Sequence, residues 1–399
     1  MSSELELDEA VAGFLEALDL PPRIEPDPEE VQARGRAVLE AAREVAPEAR
    51  TAAAGRLVAG LETEDPGAGA LAALVLGALV EDGADPAAVG PALLRRVEAV
   101  LQQAAEFRER LDALLPEGEE GAADEDDEEG WEEDEGCDHD HDHEHEHEHE
   151  HDHEHEEPDP EWVAACAAAA AQAPDEARAF EAVQPWCLPA IALLTRDPTL
   201  RAAAQRRPGL LAATERLIED GAHFLHRLLD APIELTFLAL HPESEQGYEV
   251  RARGVIDNFQ LHTLLADALV RDRQRGPAGG LPGRRPSRRE VQVMNGEGPQ
   301  EDPDLSCQGV WNLYTWTALG PDGKLPAEPP ADTWVWGEGT PGDISRFEGT
   351  PLLLLGPASH ERSWGASRPF EALPASVELL SVLEKEAVRG WLQRIAARR

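Results

Sequence analysis

From Cys137 to Glu157 the chain reads CDHDHDHEHEHEHEHDHEHEE. His139, His141, His143, His145, His147, His149, His151, His153 and His155 alternate with aspartate or glutamate. Imidazoles mixed with carboxylates make a ligand set for divalent transition metals. A period of two has meaning only in an extended chain, where it separates the rings from the acids. No apolar residue lies between Asp138 and Glu157, so neither a strand nor a helix could bury a face there, and the run is expected to be disordered. Its backbone can still loop to bring about two to four imidazoles and a carboxylate to one ion. The redundancy predicts several exchanging sites that hold zinc or nickel loosely, with Cys137 able to add a thiolate. Metal needs the neutral ring, so occupancy should fall as pH drops through the histidine range.

The run also contains H-E-x-x-H, starting at His143, His145, His147 and His149. A zinc protease needs that motif on an amphipathic helix with a third ligand held elsewhere, which overlapping copies in a low-complexity run do not supply. The stretch resembles the histidine-rich segments of nickel accessory proteins and of zinc transporter loops. The resemblance covers about twenty residues and implies metal buffering. Nickel accessory GTPases carry a phosphate loop; here Gly320-Pro321-Asp322-Gly323-Lys324-Leu325 has Ala318 in place of the first glycine and Leu325 in place of Ser or Thr. The transporters need membrane spans, and the longest apolar run, Ala70 to Val80, is too short for one.

Other chemistry-bearing residues are scattered. The buried-looking run Leu352–Leu355 ends in a polar loop containing Ser359, His360, Glu361 and Arg362, the kind of place where α/β folds bind ligands. Asp257, Asn258 and His262 form a second polar cluster at a helix start, and the two clusters could converge. His360 and Asp257 are the weak catalytic candidates. Asp257 is equally an N-cap and His360 equally a plain loop residue, and no G-x-S-x-G, phosphate loop or G-x-G-x-x-G accompanies them. His223 and His226, three apart, could share a metal or simply end a helix. Trp311, Trp316, Trp334 and Trp336 could form an aromatic binding face, or core and cross-strand pairs.

The elements that must position these residues follow from periodicity. Residues 1–115 have helical spacing throughout, broken by proline and glycine, and read as a bundle or a HEAT-like stack. Residues 116–160 form the acidic linker. Residues 161–230 return to helix and should pack with 1–115. From 231 to 399 the period changes to an α+β domain with a mixed sheet. Ile233–Leu240 and Tyr248–Ile256 suggest a hairpin. Asp257 should cap a helix over 258–271. Strands are expected to begin with Val291 and Val293, and at Val310–Leu319, Thr333–Trp336, Pro351–Leu355 and Ser376–Leu383, before a closing amphipathic helix. Arg271 to Arg289, with seven arginines and one Asp, reads as a flexible loop that could dock on the acidic linker.

The 399 residues leave room for two or three domains, and the fold class expected is multidomain α and α+β. The formal charge is −45, and 26 acidic residues without a Lys or Arg lie between Glu117 and Glu161. Such a chain repels nucleic acid and anionic membranes. Four cysteines far apart suit free thiols in the cytoplasm. The function expected is a non-catalytic binding or adaptor protein with a metal-binding linker and a protein partner. The alternatives are an enzyme with its site in the C-terminal domain, the linker being a spacer, and a metal store.

Overall fold

Proline sets the helix starts in the first half of the chain, because its fixed φ suits the first helical turn and its missing N–H is not needed there. The computed structural model describes residues 2–18, 28–115, 160–270, 280–357 and 362–398. Within these, α1 spans Ser2–Leu18, α2 Pro28–Arg43, α3 Pro47–Leu57, α4 Pro66–Glu81 and α5 Pro86–Leu114. Then come α6 (Pro160–Gln172), α7 (Pro174–Glu181), α8 (Val183–Arg196), α9 (Pro198–Gln205), α10 (Pro208–Arg216) and α11 (His223–Asp230). Pro160, read as the end of the linker, thus already belongs to a helix. Asp65, Asp85 and Asp197 stand just before Pro66, Pro86 and Pro198. Their carboxylates accept backbone amides of the first turns of α4, α5 and α9, which have no partner inside the helix.

The packing is not that of a HEAT-like stack, in which each unit touches only its neighbours. α4 lies against α8, and α5 lies against α7. One apolar core draws on both stretches, with Phe14, Leu57, Leu76, Val97, Trp186, Leu193 and Leu228 all buried in it. α4 is apolar nearly all round because it is central. Its Gly77 lets α8 come close: a Cβ there would stand 2.9 Å from Pro189 Cα. Trp186 on α8 fills the space beside Gly69 and donates its indole N–H to Pro66 O at 3.0 Å.

The second part is α+β. β1 (Glu234–His241) and β2 (Gln246–Arg253) form the expected antiparallel hairpin, with Phe237 opposite Val250. α12 (Asn258–Leu269) follows, capped by Asp257. Next come α13 (Arg288–Asn295), β3 (Glu301–Gln308), β4 (Asn312–Thr315), β5 (Arg346–Phe347), β6 (Thr350–Gly356), β7 (Ser363–Ser367), β8 (Ser376–Val382) and α14 (Lys385–Ala397). The main sheet has the order β4-β6-β1-β2-β8, with β5 on the end of β6 and a separate β3-β7 pair. β1 and β6 run parallel, Leu238 beside Leu352 and Leu240 beside Leu354, while the other pairs are antiparallel.

Both faces of the central strands are covered. Leu353 and Leu355 pack with Leu261, Leu265 and Leu269 of α12, while Leu352 and Leu354 pack with Val388, Leu392 and Ile395 of α14. Each buried leucine contributes about 1.5–3 kcal/mol, which is why β6 reads as an unbroken apolar run. β2, open on one face, alternates instead: Tyr248, Val250 and Ala252 are buried, while Glu249, Arg251 and Arg253 are not.

Three expectations fail here. Val291 and Val293 lie on α13, and Arg288 and Arg289 open that helix rather than ending a loop. Only Asn312–Thr315 of the Val310–Leu319 stretch is a strand; Trp316–Ala318 is a 3-10 turn. Thr333–Trp336 is no strand, since Ala331–Thr333 is another 3-10 turn and Trp334 only bridges to Tyr314. The two parts of the chain meet through Arg227, which lies 3.4 Å from Asp257 and donates to Glu338 O, and through the Phe224–Phe370 edge contact.

Candidate functional site

Asp257 is 7% exposed, and both its oxygens are used. Oδ1 accepts the Gln260 amide at 2.7 Å as the N-cap of α12, and Oδ2 faces Arg227. Burial raises its pKa, against the hydrogen bonds and the Arg227 charge that lower it. Asn258 donates through its side chain to Trp336 O and Thr340 O, and its backbone amide points at the Gly337 and Gly339 carbonyls. Together they pin the 336–340 loop to the start of α12.

His262, one turn on and 4% exposed, does a similar job. Its Nε2 lies 3.0 Å from Trp311 O and 3.2 Å and 3.3 Å from the amides of Val310 and Trp311, while Nδ1 is buried without a partner. Trp311 and Trp364 flank the ring. Burial pushes its pKa down to about 4, from an ordinary 6.5. The unfolded chain takes up this proton near pH 6.5 but the folded chain only near pH 4, so stability falls as pH drops between those values. The full loss is about 3 kcal/mol. Urea midpoints between pH 7 and pH 4.5 should therefore fall more steeply for the wild type than for His262→Gln; parallel curves would show the ring is not held neutral by the fold.

The other sequence candidates are dispersed. His139 to His155, Cys137, His360 and Arg271 to Arg275 lie outside the described residues. Arg284, Arg285 and Arg289 of the arginine tract pair with Glu290, Asp267 and Asp302 within the same part of the molecule. His226 Nδ1 meets the Thr214 hydroxyl at 3.3 Å, and His223 stands edge-on to Phe224. Among the described residues no three His, Cys, Asp or Glu side chains stand together as a metal site. The four tryptophans do not share one face: Trp311 is in the core under α12, Trp316 and Trp334 pack on the opposite side of the sheet, and Trp336 pairs with Trp334 at 5.4 Å between ring centroids.

A crevice of about 1140 Å³ opens at the carboxyl ends of β1 and β6, where parallel strands present their ligand-binding edge. Its walls are the Pro242–Glu245 turn after β1, the Pro321–Ala327 loop and one side of α14, and Leu355 and Pro357 line it at the end of β6. In the first wall the His241 ring, 6% exposed, accepts the Ser244 amide at 3.2 Å on Nδ1, and the Ser244 hydroxyl lies 2.7 Å from the same nitrogen. Gln246 Oε1, 3.0 Å from Ser244 Oγ, competes with that nitrogen for the one hydroxyl proton. With Nδ1 accepting the amide, the ring is neutral, and burial holds its pKa below the usual value against the nearby Glu243. A hydroxyl beside a neutral imidazole is the first requirement of a nucleophile and base, but the amide contact equally makes the pair the clasp of its own turn.

Lys324, Lys385 and Arg389 bring positive charge to the crevice, and Glu243, Glu245 and Asp322 bring negative charge. The sequence reading passed over Ser244, Lys385 and Arg389, and named Lys324 only in a phosphate-loop comparison. They come from distant segments, and the one available sign was that Lys324 and Lys385 are the chain's only lysines. A second cleft, about 760 Å³, lies where α4 and α8 meet the Arg368–Ala372 loop. No helix among the described residues is long and apolar enough to cross a membrane. No protein-family model, no curated protein and no solved structure matches this chain.

Proposed function

We propose that the chain is a non-catalytic binding or adaptor protein whose acidic, histidine-rich run captures divalent transition metal, zinc or nickel, and whose helical part meets another protein in the cytoplasm. The observation that carries the metal reading is the alternation of His139 through His155 with carboxylates. The partner reading is supported by large apolar side chains left exposed on the helices, Leu188 at 50% and Leu5 at 60% among them. The non-catalytic reading is supported by the way Asp257 and His262 are used up in capping and clasping. In this reading residues 1–115 and 161–230 form one helical domain, and the metal run is an excursion from it.

Calorimetric titration of zinc and of nickel tests it, with the full chain and a chain lacking residues 137–157, both purified without a metal column. Several equivalents should bind to the full chain, almost none to the shortened one, and thermal stability should be the same for both. Binding to the full chain should weaken from pH 7.5 to pH 5.5 as imidazoles take up protons. Equal stoichiometry in the two chains would place the metal elsewhere and overturn the reading.

The enzyme alternative is favoured by one observation, the Ser244–His241 contact on the wall of a crevice at the ends of parallel strands. A hydrolytic activity on simple esters that Ser244→Ala abolishes would put it first.

A further inference from the structure

We infer that the crevice at the carboxyl ends of β1 and β6 binds a small organic anion, a phosphate or carboxylate head on a short apolar body, held between Lys324 and Lys385. This goes beyond metal capture and does not depend on it.

The first support is the choice of cation. The chain has 35 basic residues, and only Lys324 and Lys385 are lysines. Arginine makes the ion pairs that tie the elements together, as in Arg56–Asp8, Arg110–Glu176, Arg207–Glu98 and Arg289–Asp302. Neither lysine ammonium comes within ion-pair distance of a carboxylate among the described residues, although Lys385 stands near enough to Glu245 to help lower its pKa. The two lysines stand 61 residues apart in sequence, yet both line this crevice. An ammonium on a flexible stem serves as a point charge for an anion of any shape, whereas the planar arginine fork suits fixed protein partners.

The second support is how the remaining charges are used. Arg389 grips Glu245 with two bonds, 2.9 Å and 2.6 Å, which neutralises both and fixes the turn after β1 against α14. Asp322 accepts the backbone amide of Lys324 at 3.2 Å and so shapes the opposite loop. Glu243 also lines the crevice and sits near His241. Its charge disfavours an anion at that end of the crevice.

The third support is the mixture of surfaces. Lys385, Arg389 and Gln393 are spaced four apart on α14, so they form one ladder of donors along the crevice. Beside that ladder Leu325, Leu355 and Leu392 offer apolar contact. Charged groups to hold a head and apolar contact for a body, in one concavity, are what such a ligand needs.

Because only two lysines exist, their accessibility can be read one by one. The full chain is treated with limiting acetic anhydride alone, with phenyl phosphate, with benzoate and with neutral benzyl alcohol. Acetylation of Lys324, Lys385 and the α-amino group is then measured by peptide mass spectrometry. Phenyl phosphate or benzoate should slow acetylation of both lysines several-fold and leave the α-amino group unchanged; whichever acts at lower concentration identifies the head group. Benzyl alcohol should do nothing. Equal rates with and without the anions, or equal protection by benzyl alcohol, would overturn the inference. In a second measurement, calorimetry with the better anion, the double variant Lys324→Gln, Lys385→Gln should bind at least tenfold more weakly; unchanged affinity would also overturn it. Both side chains are exposed, so the variant's helical circular dichroism should match the wild type.

Discussion

Trp186→Ala should lower the stability of the chain by about 3–5 kcal/mol, the range for removing a fully buried large aromatic. The ring is 0% exposed and lies against α4, with Gly69 beneath it. Losing it opens a cavity between two helices that belong to different stretches of sequence. It also leaves Pro66 O, which accepts the indole N–H at 3.0 Å, without that partner inside the core. Domains are stable by only about 5–15 kcal/mol, so the variant should be close to unfolding at room temperature. Urea denaturation followed by circular dichroism checks this through the midpoint. Trp186→Phe separates the two contributions. It keeps most of the packing and loses the hydrogen bond, so it should lose only about 1–3 kcal/mol. An alanine variant as stable as the wild type would mean that α4 and α8 do not depend on this contact.

Arg368→Ala should have an effect of similar size, again about 3–5 kcal/mol, for a different reason. The Arg368 guanidinium is 4% exposed and serves as a hub for backbone carbonyls. Nη1 donates to Val293 O at 2.7 Å and Pro299 O at 2.6 Å, and Nη2 to Gly298 O at 3.2 Å and Glu371 O at 3.0 Å. Alanine would leave several of these acceptors with no partner. Burial lowers the arginine pKa, yet the side chain stays charged at neutral pH because its ordinary value is so high. Lysine cannot replace it: one ammonium with three hydrogens does not reach four carbonyls spread on both sides of a planar fork. Arg368→Lys should therefore lose nearly as much as alanine. Hydrogen exchange gives the local readout: the Gly298 amide, bonded to Gln292 O, should lose protection before the helices do. Equal protection in the variant and the wild type would assign the loop's order to other contacts.

How far the fold could be read depended on whether an element's signal was local. Helix starts carry a local signal, since Asp-Pro steps at 65–66, 85–86 and 197–198 supply a cap and a fixed φ within two residues, although the prolines were read only as breaks between helices. The β1–β2 hairpin was legible from alternation, and β6 from an unbroken apolar run that only a strand covered on both faces needs. α13 was missed although its signal was present. Ser287-Arg-Arg-Glu290 is a capping box, with the Ser287 hydroxyl accepting the Glu290 amide and the Glu290 carboxylate accepting the Ser287 amide. The spacing of Val291 and Val293 suggested a strand instead. β3 had no such signal: it contains Pro303, bulges between Asp302 and Ser306, and is a strand only because β7 returns to pair with it. The same distinction separates the polar clusters. Asp257, Asn258 and His262 are neighbours in sequence and were found together, but the contacts that fix their role come from residues 310, 311 and 336–340. The crevice gathers four segments that are far apart, so its charge pattern exists only after folding.

The parallel pairing of β1 with β6 bears on the order in which the chain can fold. As the chain leaves the ribosome, β1 and β2 emerge together and can zip at once. Leu238 and Leu240, however, must wait for Leu352 and Leu354, and the face covered by α14 stays open until residues 385–397 have been made. Contacts between distant residues form slowly, since the intervening chain must first be closed. The sheet therefore passes through a stage with an apolar edge and face exposed to other nascent chains, while the helices of the first 115 residues have already been released. Slower translation through residues 234–356 should therefore raise the yield of native protein.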